Sequence, residues 1–332
     1  MTLSLRVDSA TWKAHVDSVA GAYAPLVPVI KGNGYGFGRA TLAGIAGRLV
    51  ASLPDHDLPP TLAVGTVHEL ADVADRVGDA ALLVLTPVAP GQISLLHGIP
   101  AIATVASLAD VAALDGWQGP VLVKLASSMR RFGATPEELE AVVERASRAG
   151  LGVIGASIHL PLAGSDADGI AEIEAWLPVV ESHLGAARQL WVSHLGPDAH
   201  AALVRQHSSW LFPMRVGTRL WHGDKSALHL TTDVLLTRPI AGGDLAGYHA
   251  TAAPTDGTIV VVGAGTAHGV APLADGRSPF HFARRRLTLL EPPHMHSSTL
   301  FVPTGDDVPP IGQAVDVQRP LISIAADEVV WT

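Results

Sequence analysis

The sequence predicts an α/β protein with an N-terminal (β/α)8 barrel of the TIM type, residues 1–225, followed by a mainly β C-terminal domain, residues 226–332. Three observations lead to this fold class. Apolar runs alternate with longer amphipathic stretches eight times in the first two-thirds of the chain, helical periodicity ends near Asp224–Leu228, and no low-complexity linker separates the two parts. The first few residues could instead pack with the β domain.

Eight short apolar runs predict the barrel strands. They are continuous rather than alternating, which is typical of parallel strands covered by helices. A doubly wound open sheet is the alternative, because counting repeats does not show that a sheet closes. The runs are Val27–Ile30, Leu62–Gly65, Ala81–Leu85, Ala101–Thr104, Val121–Leu125, Gly152–Ile158, Leu190–Ser193 and Met214–Gly217.

Four of the intervening stretches have clear helical periodicity. Pro136–Ala149 follows Thr135, which we expect to be its N-cap. Thr66–Arg76, Ile170–Leu184 and Ala199–Trp210 have the same pattern.

Beyond the barrel, short apolar runs are separated by turns rich in Gly and Pro. This texture predicts an all-β domain, either a barrel or a sandwich. The predicted strands are Leu228–Leu236, Gly257–Val262, Arg286–Leu290, Ser298–Val302 and Glu328–Trp331.

Composition excludes several classes of function. The chain has no cysteine, so disulfides and thiolate catalysis are excluded. A formal charge of -9, with Arg284–Arg286 as the one basic block, argues against a nucleic-acid partner. We expect no membrane span, no signal peptide and a cytoplasmic location. His294 and His296 have the spacing of two ligands on a strand, but without a third at diagnostic spacing we expect no metal site.

Lys31 is the first residue with a chemical signature. It follows the apolar run VPVI and opens the segment KGNGYGFG, whose alternate glycines let backbone approach a ligand closely. A lysine desolvated at a barrel mouth is a nucleophile for carbonyl carbon. A glycine-rich turn that only closes a β/α unit is the structural alternative.

KGNGYGFG resembles the KANAYGHG signature of alanine racemases, which are fold-type III pyridoxal-phosphate enzymes. The resemblance continues in order through AVGTVHELADVADR, IPAIATVASL, VLVKLASSMRRFG, GASIHL, MRVGTRLWHG, AGYHA and VVGAGTAHG. It covers most of the chain, including the β domain. The chain is therefore similar to a divergent member of that family.

The resemblance implies a cofactor, pyridoxal 5'-phosphate, bound covalently to Lys31. It also implies a second acid/base, Tyr248, which a partner subunit contributes, and hence a homodimer with shared sites. The expected activity is two-base racemisation of an amino acid.

The same resemblance assigns further cofactor contacts. Arg215 matches the arginine on the pyridine nitrogen, and Arg219 is the alternative if the register is shifted. Gly217, Thr218 and Tyr35 match phosphate contacts. In the pair Ser193 and His194, the resemblance leaves open which residue replaces a phosphate-binding serine.

Three further positions match residues near the substrate. Arg131 matches the arginine that supports the substrate carboxylate and the catalytic tyrosine, and His159 matches a histidine beside the cofactor ring. Lys124 matches a lysine that is often carbamylated, although an ordinary lysine at a strand end is an equal alternative.

Several positions depart from the family pattern. Ala126-Ser127-Ser128 stands for Asp-Thr-Gly, Thr266 for a tyrosine, and Met295-His296 for Met-Asp. These changes predict altered substrate selection. The alternatives are another racemase or a decarboxylase of this fold, a non-catalytic cofactor-binding protein, and a degenerate paralogue.

Overall fold

A computed structural model describes residues 3–54, 58–185 and 187–332. By internal contacts the chain divides into two compact units. The barrel unit comprises the described parts of His15–Gly32 and Arg39–Gly223, and the β unit comprises those of Met1–Ala14, Asn33–Gly38 and Asp224–Thr332. Within the described residues, no helix is long and apolar enough to cross a membrane.

Eight parallel strands form the sheet of the barrel unit, in the order β2-β9-β8-β7-β6-β5-β4-β3. A parallel bridge between Val29 and Ala63, with a 2.8 Å bond from Ile30 N–H to the Ala63 carbonyl, joins the two ends of this order. The ring confirms the barrel and rules out the open sheet. The strands are β2 (Leu26–Pro28), β3 (Thr61–Val64), β4 (Ala81–Val84), β5 (Ala101–Val105), β6 (Pro120–Lys124), β7 (Gly152–Ser157), β8 (Leu190–Ser193) and β9 (Met214–Val216).

The interior of the ring is filled by apolar side chains from its strands, as expected for a packed barrel rather than a pore. These residues are Val27, Val29, Ala63, Leu83, Ile102, Leu122 and Trp191.

The α-helices in the described residues are α1 (Ser9–Gly21), α2 (Arg39–Ser52), α3 (Leu70–Val73), α4 (Leu108–Ala113), α5 (Pro136–Arg148), α6 (Asp166–Leu184), α7 (Pro197–Gln206) and α8 (Thr218–His222). Thr135 begins α5 with a capping box, as its sequence position predicts.

Two helix predictions need correction. Thr66–Arg76 is not one helix, because a 3-10 turn at Val67–Glu69, the short α3 and a second 3-10 turn at Ala74–Arg76 follow one another. The β4–β5 connection contains only a 3-10 segment, Ile93–Leu96, so one of the eight units lacks an α-helix. The boundaries of two others differ: α6 begins four residues before Ile170, and α7 ends at Gln206, before Trp210.

The β unit is built around a mainly antiparallel sheet in the order β15-β14-β18-β10-β13-β17-β16. Strand β1 also pairs with β10, and β19 pairs with β1. The predicted run Leu228–Leu236 is longer in the structure, and Arg286–Leu290 is divided between two short strands. The strands are β1 (Leu3–Val7), β10 (Leu228–Ile240), β11 (Leu245–Ala246), β12 (Thr251–Ala252), β13 (Gly257–Val262), β14 (Phe280–Phe282), β15 (Arg285–Arg286), β16 (Thr288–Leu289), β17 (Ser298–Pro303), β18 (Ala314–Val317) and β19 (Glu328–Trp331).

Candidate active site

Lys31 lies just beyond the carboxyl end of β2, where the barrel strands end and β/α-barrel enzymes place their active sites. Lys31 as a whole is exposed to solvent, while its Cβ packs against the end of β3. A Cβ built on Gly65 would lie only 3.2 Å from the Cβ of Lys31. The stem of the lysine is therefore confined on one side, although the residue as a whole keeps access to solvent.

Glu69 holds the turn that follows Lys31. Its carboxylate accepts a 3.1 Å bond from the Gly32 N–H and a 2.7 Å bond from the Gly65 N–H. Arg39 lies 3.7 Å from the same carboxylate and donates to the Gly32 carbonyl at 2.6 Å. A mostly buried acid thus ties the ends of β2 and β3 together.

The pKa of Lys31 lies below its ordinary value. The main cause is desolvation of the amine by the surrounding protein, although the residue keeps some access to solvent. The cations Arg131 and Arg215 add to the shift, while Glu69 opposes it. A lowered pKa raises the fraction of neutral amine, which is the nucleophilic form.

Lys124 ends β6 and is almost completely buried. Its amine lies 3.4 Å from the Leu85 carbonyl oxygen and 5.9 Å from the centre of the Phe132 ring. Burial, followed by the charges of Arg215, Arg131 and Lys31, lowers the pKa of Lys124 to about 7. The structure therefore brings a second partly neutral amine to the mouth.

Arg131 is exposed in the loop after β6, with its guanidinium 5.6 Å from the centre of the Phe132 ring. Helix α6 fastens this loop, because Glu172 accepts bonds from the Ser128 N–H at 2.6 Å and from the Ser128 hydroxyl at 2.7 Å. The arginine can thus meet a substrate anion from a supported loop.

Arg215 is a buried cation on β9. Its Nε donates to the Val192 carbonyl at 3.2 Å, and its Nη2 donates to the carbonyls of Ile158 and Trp191. Burial lowers the pKa of Arg215 to about 10, so the side chain remains charged at neutral pH. Three carbonyl contacts fix its orientation.

His159 lies just after β7 and Ser193 ends the adjacent β8, and a 2.9 Å hydrogen bond joins His159 Nδ1 and Ser193 Oγ. Burial, and then the charge of Arg215, lower the pKa of His159 to about 2, which keeps this imidazole neutral. The buried Ser193 is therefore engaged by His159. His194 lies exposed at φ 65° with its ring 4.8 Å from that of His159.

Gly217 and Thr218 begin the last barrel helix, α8, directly after β9. The neighbouring Arg219 donates to the Tyr23 hydroxyl at 2.7 Å, and this hydroxyl donates to the Leu195 carbonyl at 3.0 Å. Arg219 is thus engaged with Tyr23, whereas Arg215 is among the cations that lower the pKa of Lys31.

The two remaining predicted residues, Tyr35 and Tyr248, belong to the β unit. Tyr35 is buried in a 3-10 turn, Gly34–Gly36, at φ 56°. Tyr248 is 84% exposed, and its ring centre lies 4.5 Å from that of His294. In the described part of the chain, no group of three side chains is arranged to hold a metal ion.

Sequence reasoning did not find Glu69, Phe132 or Glu172. Glu69 gives one signal, an acid four residues after the strand-end Gly65. Phe132 and Glu172 give none, because their importance depends on which residues they contact in the folded chain.

The fold and site define a β/α-barrel protein whose strand ends carry several cations around a lysine of lowered pKa. The family model described as alanine racemase, N-terminal domain, matches residues 7–221. The chain therefore belongs to the alanine racemase family.

Solved structures resemble the whole chain at low sequence identity. Alanine racemase of Bartonella henselae with covalently bound pyridoxal phosphate matches with a TM-score of 0.75 at 15% identity, covering 100% of both chains. Alanine racemase of Clostridium difficile 630 matches at 0.74 and 15%, covering 100% of this chain and 96% of that one. The biosynthetic enzyme of Pseudomonas aeruginosa matches at 0.69 and 18%, covering 100% and 99%. No curated protein sequence gave a match.

Proposed function

We propose that this protein is a pyridoxal-phosphate-dependent amino-acid racemase that works as a homodimer. The observation that supports this most directly is Lys31, an accessible lysine of lowered pKa at a barrel strand end. The surroundings suit an anionic cofactor, because the charges that act on Lys31 are the cations Arg131 and Arg215 and the single acid Glu69. The covalently bound pyridoxal phosphate of the Bartonella henselae structure adds support.

Different residues of this chain would bind different parts of the cofactor. Lys31 would hold its carbonyl carbon, and the fixed, charged Arg215 would face its ring nitrogen. When bound, pyridoxal phosphate withdraws electrons from the α-carbon of an amino acid and so acidifies the proton there. Phosphate contacts would come from Tyr35, Gly217, Thr218 and either Ser193 or His194.

Proton transfer then requires one base on each face of the substrate. The Lys31 amine takes or returns the proton on one face, and the Tyr248 hydroxyl of the partner subunit does so on the other. Arg131 binds the substrate carboxylate from its supported loop. His159, held neutral, would lie beside the cofactor without adding charge.

The proposal is tested by loading the purified protein with pyridoxal phosphate, reducing it with borohydride and locating the label by peptide mass spectrometry. We expect the label on Lys31 and its loss in Lys31→Ala, with Lys225→Ala as the matched control. A label on another lysine would refute the cofactor assignment.

A panel of single amino acids in deuterated water then tests the reaction. We expect α-proton exchange with change of configuration, abolished in Lys31→Ala and restricted to one enantiomer in Tyr248→Phe. Attachment without exchange would mark a cofactor-binding protein, and loss of carbon dioxide would mark a decarboxylase. The cytoplasmic location stays a prediction.

A further inference from the structure

Tyr248 lies in the turn that joins β11 and β12 of the β unit. Gly247 at φ 77° and Ala250 at φ 49° both have left-handed backbone, so this turn has a defined and unusual shape. A tyrosine that is 84% exposed has little packing of its own to fix it. Within its own chain, order can come only from contacts beneath the turn.

Glu291 makes those contacts. Its side chain is fully buried, and its carboxylate accepts bonds from the backbone N–H groups of Tyr248 at 3.2 Å and His249 at 3.1 Å. A Cβ built on Gly247 would overlap this carboxylate. The glycine and the acid therefore fit each other, and the carboxylate lies directly against the backbone of the turn.

The carboxylate remains charged although it is buried. Burial by itself would raise the pKa of Glu291, but bonds from His249, His294 and Tyr248 outweigh it and hold the pKa below its ordinary value. A buried anion with three donors resists displacement, because any movement leaves it without partners.

His294 provides the third donor and also touches the tyrosine. Its Nε2 lies 2.6 Å from the Glu291 carboxylate, and its ring packs against Tyr248 at 4.5 Å with an interplanar angle of 56°. The backbone of His294 is itself held, since Thr266 N–H donates to its carbonyl at 2.8 Å and its own N–H donates to the Ser297 carbonyl at 2.8 Å. His294 thus supports the ring of Tyr248, while Glu291 supports the backbone of the turn.

We propose that Glu291 and His294 are positioning residues that hold the exposed Tyr248 in the orientation in which it acts as an acid/base. This inference rests on the proposed function of Tyr248. It predicts that the ring is ordered in the absence of substrate and loses its order when either support is removed.

Fluorine NMR of protein labelled with 3-fluorotyrosine tests the order of the ring directly. The chain has three tyrosines, Tyr23, Tyr35 and Tyr248, and Tyr248→Phe assigns the signal of interest. In Glu291→Gln we expect that signal to narrow and move toward its position in the unfolded protein, while the signals of the two buried tyrosines stay in place. An unchanged Tyr248 signal would overturn the proposal.

Matched variants separate this effect from general loss of structure. Glu328→Gln is the control. It removes another carboxylate of the β unit, one that accepts a hydrogen bond from the Ser4 hydroxyl, and it should leave the Tyr248 signal unchanged. His294→Gln keeps a donor for Glu291 but removes the ring, so it should move the signal even if Glu291→Gln folds poorly. No movement in a folded His294→Gln protein would contradict the role of the ring.

Kinetics of the cofactor-loaded enzyme give the second readout. For the enantiomer whose exchange depends on Tyr248, Glu291→Gln should lower kcat about tenfold or more with little change in KM, because the base is misplaced rather than absent. Full activity in Tyr248→Phe would defeat the proposed function and leave the NMR result standing. Loss in Tyr248→Phe with an unaffected Glu291→Gln would defeat only the present inference.

Discussion

Two lysines at the barrel mouth have lowered pKa values for the same reasons, burial and neighbouring cations, but their accessibility differs. Lys31 is exposed and can react with a ligand, whereas Lys124 is enclosed. Glu69 raises the pKa of Lys31 and so opposes the other groups. The pKa of Lys31 therefore depends on Glu69, which also fixes the turn that follows Lys31.

Removing the charge of Glu69 should lower the pKa of Lys31 further. Reductive methylation with 13C-formaldehyde and an NMR titration would measure this, because the chain has only four lysines, Lys13, Lys31, Lys124 and Lys225. In Glu69→Gln we expect the Lys31 resonance to titrate at lower pH than in the wild type. Asp72→Asn, which removes a different partner of Arg39, is the control and should leave the Lys31 resonance in place.

Lys124 should impose a pH dependence on stability. Its folded pKa of about 7 lies below the ordinary 10.5, so between these values the unfolded chain binds a proton that the folded chain does not. The free energy of unfolding should therefore rise with pH in this window, by about 1.4 kcal/mol per pH unit from this group. Urea titrations in carbonate-free buffer would show the slope as the difference between the wild type and Lys124→Met. Parallel curves from pH 7.5 to about 9.5 would contradict the shift.

The sequence predicted the cations of the mouth but not their supports. Lys31, Arg131 and Arg215 stand in motifs with their own local pattern. Glu69 and Glu172 act by accepting hydrogen bonds from residues 4 to 44 positions away. The bonds of Gly32 to Glu69 and of Ser128 to Glu172 exist only after strands and helices have packed, and no periodicity encodes them.

At the scale of elements, the strands were predictable because each parallel strand is covered on both faces and becomes a continuous apolar run. The β3–β4 connection was not predictable from its helical pattern. There Glu69 turns its carboxylate back to the Gly32 and Gly65 N–H groups, and the chain forms a 3-10 turn instead of a regular first helical turn.

Helix α6 supports the candidate site through Glu172, which binds the loop after β6. Glu172→Gln should loosen the loop that bears Arg131, and we expect KM for the amino acid to rise about threefold to tenfold with a smaller change in kcat. Glu174→Gln on the same helix removes contacts to Gln206 and His207 and serves as the matched control. Steady-state kinetics of both variants decide the point, and equal KM values in the two would show that the contact does not serve Arg131.

At the scale of the molecule, net charge and local charge have opposite signs. The chain has a formal charge of -9, while the charges that lower the pKa of Lys31 are cations. The cluster of cations at the barrel mouth therefore forms on folding, because the carboxyl ends of the strands converge on one side of the ring. Residues 33–38 belong by contacts to the β unit although both flanking segments belong to the barrel unit, an exchange that no local pattern in the sequence encodes.

A site shared between subunits makes a quantitative prediction for mixed dimers. Lys31→Ala and Tyr248→Phe should each be inactive alone in the direction that needs both groups. If each site takes Lys31 from one subunit and Tyr248 from the other, a dimer of one variant with the other contains one site with both groups intact. Random exchange of equal amounts yields half mixed dimers, so about a quarter of wild-type activity should return.

The control is a mixture of wild type with the double variant Lys31→Ala/Tyr248→Phe, in which each site of a mixed dimer lacks one group. Its activity should fall to about a quarter of that of wild type alone at the same total concentration, since only the wild-type homodimers remain active. A site contained within one chain gives the opposite pattern, because the two single variants then never restore each other and the wild-type subunits of the control keep half of the activity. Subunit exchange followed by an assay of the change of configuration, which needs both groups, therefore distinguishes a shared site from a self-contained one.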